Sequence, residues 1–398
     1  MKLTVIIVSY NVKSYLSQCL DSLRRATQGL EAEICVIDNH SKDLTVEMLR
    51  RDFPDVRLIA SNSNRGFARA NNIAISQTES EYVLLLNPDT FVGENTIKDC
   101  LRFMDEHENA GGLGVCMLKC DGQKAMESRR GLPTPMTSLY KMCGLCSKYP
   151  DNPRFGKYYM GNMPWDKPGK IEVVSGAFFM IRRKALDRAG VLDEDFFMYG
   201  EDIDLSYRLL KCGFENWYYP SRILHYKGES TKKSSFRYVH VFYEAMLIFF
   251  QKHYGHKSFW LSIPIKTAIY LKAFLALISI SYSQIRKILG FRQYRRSASP
   301  YYIITGTDEA LAKCRDIMQQ NGLSAQYLPK EDVVNSNFID GVGNTVGNKG
   351  KVYVVFDTAS YKYETILDIF SKNTNPDVMI GTYIPQDRII ITDKEIIS

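Results

Sequence analysis

The sequence predicts an α/β fold in which helices cover a mostly parallel sheet, followed by a helical segment and a second, smaller α/β unit. Over the first 120 residues, short apolar runs alternate with amphipathic stretches, which is the pattern of buried parallel strands joined by helices. The same alternation starts again after residue 300. A chain of 398 residues, 45% of them apolar, can bury more than one core. We therefore expect units at residues 1–235, 236–297 and 298–398.

The first unit contains five predicted strands, at residues 3–8, 33–38, 56–60, 82–86 and 112–118. Amphipathic helices are predicted between them, for example at residues 14–25 and 68–76. Ligands of such sheets bind at the carboxyl ends of the strands, so the polar residues that follow each strand are candidates. Those residues lie at 9–11, 38–43, 62–66 and 87–89. For Asn11, Ser41 and Asn62 taken singly, a helix cap or turn explains the residue type equally well.

Composition excludes some classes of protein and leaves others open. The net charge of +7 comes from dispersed basic residues, which does not indicate a nucleic-acid groove but is compatible with phosphorylated ligands or an anionic membrane. Nine cysteines without paired spacing, and a chain that begins with a strand-like run, predict a cytoplasmic protein with free thiols. A four-sulfur zinc site from Cys116, Cys120, Cys143 and Cys146 is the less favoured alternative.

Seven segments in order along the chain resemble the family 2 glycosyltransferases of GT-A fold, in particular their rhamnosyltransferase-like branch. The segments lie at residues 8–11, 36–39, 64–72, 86–89, 174–178, 199–205 and 225–230. Each is a weak motif alone, but seven in order over about 230 residues form a specific pattern. The resemblance implies an inverting hexosyltransferase that uses a nucleotide-diphosphate sugar.

The resemblance also assigns residues to the sugar donor. Asp38 would read the nucleobase, with Ser9, Tyr10 and Asn11 around base and ribose. The other positions that would line the donor are Arg65, Gly66, Arg69, Asn71 and Asn87. For Arg69 and Asn71 a solvated helix face remains the alternative.

A divalent cation, Mg²⁺ or Mn²⁺, would neutralise the charge that develops on the leaving diphosphate. Asp89 is the expected carboxylate ligand, and by resemblance His225 is a further one. The family motif is Asp-x-Asp, whereas its first position here is Asn87. One carboxylate instead of two predicts that metal and nucleotide bind together.

The acceptor side is predicted around residues 175–176 and 201–204. By resemblance Asp202 is the general base, Glu201 lies near the acceptor, and Asp204 is a cap or anchor. Acidic residues are also favoured in the first turn of any helix, so this motif has a purely structural interpretation as well. Ser175 and Gly176 would let the acceptor approach the backbone closely.

The remainder of the chain is less informative. A helix is predicted at residues 236–254, followed by the most apolar stretch, 259–289. Its uninterrupted part of 13 residues is about 20 Å of helix, too short for the roughly 30 Å of a bilayer core. With Lys272, Ser279, Ser283 and Arg286 on one face, it suits either an anionic membrane surface or packing on the C-terminal unit.

The C-terminal unit is predicted to be small and doubly wound, with oligomerisation or docking to other enzymes as its expected role. Taken together, the sequence predicts transfer of a sugar to a hydroxyl of a lipid-linked or cell-surface polysaccharide acceptor. Rhamnose on dTDP is the favoured donor, with UDP sugars as competitors. The alternative is a non-catalytic sugar-nucleotide-binding subunit of a polysaccharide pathway.

Overall fold

The computed structural model describes residues 1–226, 236–255, 299–333 and 350–398. The predicted amphipathic segment at 259–289 lies outside these residues. The strands are β1 Leu3–Ser9, β2 Ala32–Asp38, β3 Arg57–Ala60, β4 Tyr82–Leu86, β5 Thr90–Val92, β6 Ala110–Leu118, β7 Gly169–Ile171, β8 Phe178–Arg182, β9 Glu215–His225, β10 Tyr301–Gly306, β11 Ala325–Pro329, β12 Val352–Asp357, β13 Val378–Ile384, β14 Ile389–Ile391 and β15 Ile396–Ile397.

The helices follow the same chain order. They are α1 Lys13–Ala26, α2 Thr45–Asp52, α3 Phe67–Ile75, α4 Thr96–Glu106, α5 Pro135–Met142, α6 Leu145–Lys148, α7 Arg183–Ala189, α8 Glu201–Lys211, α9 Phe236–Tyr254, α10 Asp308–Gln320 and α11 Tyr363–Phe370, with short 3-10 turns at Met126–Ser128, Gly156–Tyr159 and Lys330–Val333.

The first unit is built on one sheet with the order β3-β2-β1-β4-β8-β6-β9-β5, in which β7 also pairs with β9. Its first four strands are parallel, and both β1 and β4 are buried along their whole length, as their continuous apolar sequences predict. The predicted α/β fold with a mostly parallel sheet is confirmed.

The antiparallel part of this sheet was not predicted. Strand β8 runs antiparallel between β4 and β6, and the three-residue strand β5 pairs antiparallel with the end of β9. The pairing of β5 with β9 sets Thr90 opposite His225. This pairing therefore places His225 next to the end of β4, where Asp89 lies.

The C-terminal unit is a six-stranded sheet in the order β11-β10-β12-β13-β14-β15, of which the first four strands are parallel. It packs on the first unit of the same chain. One apolar cluster contains residues of both units, among them Leu224 of β9 and Tyr363 of α11. At the edge of β13, the Ile380 N–H donates to the carbonyl of Cys120 over 2.8 Å. The two units therefore share a core.

Two smaller observations concern only the described residues. The four-cysteine zinc site does not form, because Cys143 is exposed while Cys116, Cys120 and Cys146 are buried, and residues 1–226, 236–255, 299–333 and 350–398 contain no cluster of metal-binding side chains of three or more. In that same part of the chain, no helix combines the length and the apolar character needed to cross a membrane.

Candidate functional site

The carboxyl ends of β1 and β2 bring two buried polar side chains together. Ser9 and Asp38 lie opposite each other in the parallel register, and they are 0% and 2% exposed. Asp38 Oδ2 accepts a hydrogen bond from the Ser41 N–H over 2.9 Å. Asp38 Oδ1 and Ser9 Oγ are buried without a partner in the described part of the chain. Since buried polar atoms are nearly always hydrogen-bonded, these two oxygens suit a bound ligand.

The loops after β1 and β2 hold each other in place. Asn11 has a φ of 54°, its N–H donates to Ser41 Oγ over 3.0 Å, and its Oδ1 accepts from the Lys42 N–H over 2.8 Å. The neighbouring Tyr10 is 38% exposed at the same edge. An exposed aromatic residue thus follows Ser9 at the edge that carries the two unpartnered oxygens.

Asn39, which sequence reasoning did not single out, organises the next loop. Its amide Nδ2 donates to Asn64 Oδ1 over 3.0 Å and to the Gly66 carbonyl over 3.3 Å, and its Oδ1 accepts from the Arg65 N–H over 2.9 Å. Arg65 itself is exposed at the rim of the site. The only signal in the sequence was the position of Asn39, directly after a strand.

Gly66 lies where the loop enters α3, with φ 80° and ψ 176°. A Cβ at this position would be 2.7 Å from the carbonyl oxygen of Phe197, to which the Phe67 N–H donates. Glycine is therefore required both by the backbone angle and by the close approach of the 196–199 loop.

Two further donor candidates are on α3. Arg69 is exposed, and its Nε donates to Glu194 Oε2 over 2.9 Å. Asn71 is only 1% exposed and donates to the carbonyl of Phe67, one helical turn before it. In this structure both side chains bond protein groups, and Asn71 lies in the interior instead of on a solvated face.

The predicted metal ligands are adjacent. His225 Nε2 lies 3.3 Å from Asp89 Oδ1 and 3.3 Å from Asn87 Nδ2, and Asp89 is 4% exposed. A carboxylate oxygen and an imidazole nitrogen at this separation fit two positions in the coordination shell of one divalent cation. The protein supplies few ligands, so diphosphate oxygens and water would have to complete the shell.

The predicted base lies across a short backbone segment from this pair. Asp202 Oδ2 accepts from the Gly176 N–H over 3.0 Å, and the carbonyl of the next residue, Ala177, accepts from the Asn87 N–H over 3.1 Å. Ser175 precedes this segment and is half-buried. Gly176 and Ala177 therefore join the predicted base to the end of β4 that carries the predicted metal ligand.

Arg130 is the principal residue that sequence reasoning missed. It forms a buried ion pair with Asp202 Oδ2, and its Nη2 also donates to the Val174 carbonyl over 3.0 Å. Burial has the largest single effect on this guanidinium and lowers its pKa, but the charge of Asp202, the hydrogen bond to Asp202 and the nearby Tyr158 and Tyr159 together leave the pKa raised. Nothing in the local pattern around residue 130 indicates a partner 72 positions away.

Glu201 differs sharply from its neighbour. It is 6% exposed, and its Oε2 has no partner in the described part of the chain. Burial, followed by the negative charge of Asp202, raises the pKa of Glu201 to about 8. At neutral pH Glu201 therefore holds its proton, next to the carboxylate of Asp202 that pairs with Arg130.

Asp204 points away from this pair. Its carboxylate binds Arg208 over 2.7 Å and His253 Nε2 over 2.5 Å, which ties α8 to α9. Glu201, Asp202 and Asp204 thus lie within four positions of the chain, and each has different partners.

The sequence of this chain is similar to those of known glycosyltransferases. The sequence profile described as glycosyl transferase family 2 matches residues 4–190. An N-acetylglucosaminyl-diphospho-decaprenol L-rhamnosyltransferase of Mycobacterium tuberculosis is 30% identical over 272 residues, which are 65% of this chain and 86% of that protein. Rhamnosyltransferase WbbL of Escherichia coli is 24% identical over 255 residues, 59% of this chain and 91% of WbbL.

Among solved structures, the mannosyltransferase PcManGT of Pyrobaculum calidifontis in complex with GDP-Man and Mn²⁺ is similar with a TM-score of 0.42. The two sequences are 17% identical, and the match covers 74% of this chain and 81% of that one.

Proposed function

The chain belongs to glycosyl transferase family 2, and from this premise we propose that it transfers rhamnose, with inversion, from a nucleotide diphosphate to a hydroxyl of a lipid-linked saccharide. The prediction of a family 2 glycosyltransferase is thereby confirmed. One observation carries the finer proposal: Asp202 and the Asp89–His225 pair lie on either side of the short segment Gly176-Ala177.

In the proposed reaction, the Asp202 carboxylate takes the proton of the acceptor hydroxyl as that oxygen attacks the anomeric carbon. The new carbon–oxygen bond forms while the bond from the anomeric carbon to the diphosphate breaks, and the nucleoside diphosphate leaves with the electron pair. Attack from the face opposite the diphosphate inverts the sugar configuration. Arg130 and the Gly176 N–H hold the base in place without taking part in the bond changes.

A divalent cation bound by Asp89 and His225 would neutralise the charge that grows on the departing diphosphate. An imidazole nitrogen is a softer ligand than a carboxylate oxygen, and Mn²⁺ accepts it more readily than the harder Mg²⁺ does, so His225 favours Mn²⁺ over Mg²⁺. The remaining ligands would come from the nucleotide, which supports joint binding of metal and donor.

Asp38 supports a uracil or thymine base. Each of these bases presents one imide N–H, and the unpartnered Asp38 Oδ1 can accept it. Cytosine has a bare acceptor nitrogen at that position, which a carboxylate would repel. We therefore keep dTDP-rhamnose as the favoured donor and UDP sugars as the competitor.

For the acceptor, the named substrate of the Mycobacterium tuberculosis relative is a sugar on a diphosphate-linked polyprenol. We propose an acceptor of that class for this chain. The transfer reaction would then take place at the cytoplasmic face of a membrane. A non-catalytic binding subunit is the weaker alternative, because such a subunit would have no use for a buried, arginine-paired carboxylate beside the donor.

The test begins with thermal shift in the presence of Mn²⁺, since a ligand that binds only the folded state raises the melting temperature. The panel contains dTDP-rhamnose, UDP-glucose, UDP-N-acetylglucosamine and CDP, and we expect the largest shift with dTDP-rhamnose and none with CDP. The donor found there is then used in a transfer assay with a synthetic polyprenyl-diphosphate N-acetylglucosamine.

The Asp202→Asn variant should bind donor as the wild type does and lose transfer by at least 100-fold. Asp187→Asn is the control, because Asp187 is an exposed carboxylate on α7. Transfer by Asp202→Asn at the wild-type rate would refute the assignment of the base.

A further inference from the structure

We propose that the C-terminal unit is a working part of the donor site, because Thr382 of β13 positions Tyr226 and, through it, the Asp89–His225 pair. This inference rests on the proposed function, in which that pair binds a divalent cation. It assigns a role to residues 298–398 that differs from the predicted oligomerisation or docking.

Three buried side chains from three elements form a closed hydrogen-bonded triangle. Tyr226 follows the last residue of β9, Gln18 lies on α1, and Thr382 lies on β13. The Tyr226 hydroxyl donates to Gln18 Oε1 over 2.9 Å, Gln18 Nε2 donates to Thr382 Oγ1 over 2.8 Å, and the Tyr226 and Thr382 hydroxyls are 3.3 Å apart. Gln18 and Thr382 are 0% exposed and Tyr226 is 4% exposed.

Tyr226 is connected to both metal ligands through the backbone. It is the residue after His225, and its N–H donates to the carbonyl of Asp89 over 3.0 Å. The adjacent register pair is Thr90 with His225. A displacement of Tyr226 would therefore move Asp89 and His225 relative to each other.

The tyrosine ring is also confined. It packs edge-on against Tyr15, with centroids 5.0 Å apart, and against Phe91, with centroids 6.3 Å apart. Tyr15 in turn donates to the carbonyl of Thr392 in the C-terminal unit over 2.8 Å. Apolar packing limits where the ring lies, and the triangle sets the direction of its hydroxyl.

Burying polar side chains between two units costs more free energy than burying apolar ones. Apolar side chains would bury the same surface without the need to satisfy each donor and acceptor. Directional hydrogen bonds fix an orientation, and outer-shell groups of this kind commonly change metal affinity by 10–100-fold when they are removed. We therefore assign Thr382, Gln18 and Tyr226 as positioning residues.

The test measures Mn²⁺ binding to the full-length protein with saturating UDP or dTDP, by the electron paramagnetic resonance signal of free Mn²⁺. Thr382→Val and Tyr226→Phe should each raise the Mn²⁺ Kd about 10-fold. Thr382→Ser, which restores the hydroxyl, should stay within about twofold of the wild type. The double variant should be little worse than either single variant, because both remove the same network.

Thr305→Val is the matched control. Thr305 is a fully buried threonine on a strand of the same unit, and its hydroxyl is 2.9 Å from that of Tyr361. The change should lower stability as Thr382→Val does, and it should leave the Mn²⁺ Kd unchanged.

The outcomes separate the two proposals. If Asp89→Asn binds Mn²⁺ as tightly as the wild type, the metal assignment of the proposed function is wrong, and this inference is wrong with it. If Asp89→Asn abolishes binding while Thr382→Val and Tyr226→Phe bind normally, only the positioning role is overturned. Equal weakening by Thr305→Val would also overturn it, because the effect would then reflect general stability.

Discussion

Replacing Glu201 by glutamine should remove a specific part of the pH dependence of stability. The folded protein holds a proton on Glu201 up to about pH 8, whereas the unfolded chain releases it near the ordinary value of 4.5. Between those values the folded state binds one more proton than the unfolded state. The contribution of Glu201 to the free energy of unfolding is therefore largest below pH 4.5, and it is lost as the pH rises toward 8.

The size of the effect follows from the same two values. The shift spans about 3.5 pH units at about 1.36 kcal/mol each, or about 5 kcal/mol in total. Between pH 5.5 and 7.5 the wild type should lose roughly half of this, about 2–3 kcal/mol, through this carboxyl. Glutamine is nearly isosteric with the protonated side chain and cannot ionise, so Glu201→Gln should lose none of it.

The assay is urea unfolding at pH 5.5, 6.5 and 7.5, in which the difference in pH slope between variant and wild type isolates the one group. Glu309→Gln is the control: Glu309 is exposed, and its hydrogen bond with Lys313 lowers the pKa of that carboxyl, so its removal should not flatten the slope. Equal slopes for Glu201→Gln and the wild type would show that Glu201 is ionised in the folded protein.

Three other expectations concern residues that hold the site together. Arg130→Met leaves Asp202 as a buried carboxylate without its partner, which should cost about 3–5 kcal/mol of stability in urea unfolding, and the double variant Arg130→Met/Asp202→Asn should recover most of it. Asp38→Asn removes the charged acceptor for the base and should weaken UDP or dTDP binding at least 10-fold by calorimetry; unchanged affinity would argue against base recognition by Asp38. Gly66→Ala should destabilise the protein by about 2 kcal/mol or more, since the backbone angle and the Phe197 carbonyl both oppose a Cβ, whereas Gly29→Ala, with a φ of 78° and open space around it, should cost less.

Much of the first unit could be predicted because its signals are local. The apolar runs of β1, β2 and β4 and the polar residues at their ends are readable in windows of about ten residues. Parallel strands place their carboxyl ends at one edge, so the sequence predicts that Ser9, Asp38 and Asp89 share a rim. The motif around Glu201 likewise located an acidic helix start.

The local pattern could not distinguish the three acids of that helix. Glu201, Asp202 and Asp204 are equivalent as first-turn residues, and their environments depend on partners far along the chain. Arg130 pairs with Asp202, burial raises the pKa of Glu201, and His253 with Arg208 anchors Asp204. Ion pairs of this kind leave no periodic trace in sequence.

Local sequence patterns specify the strand–helix alternation of both units and the residue types available at the strand ends. Which of those residues meet depends on how the strands pair and how the two units pack. The antiparallel pairing of β5 with β9 places His225 beside Asp89, and the packing of β13 against α1 places Thr382 behind them. Local periodicity specifies which face of an element is buried, whereas the partner of that face is chosen by the packing of the whole chain.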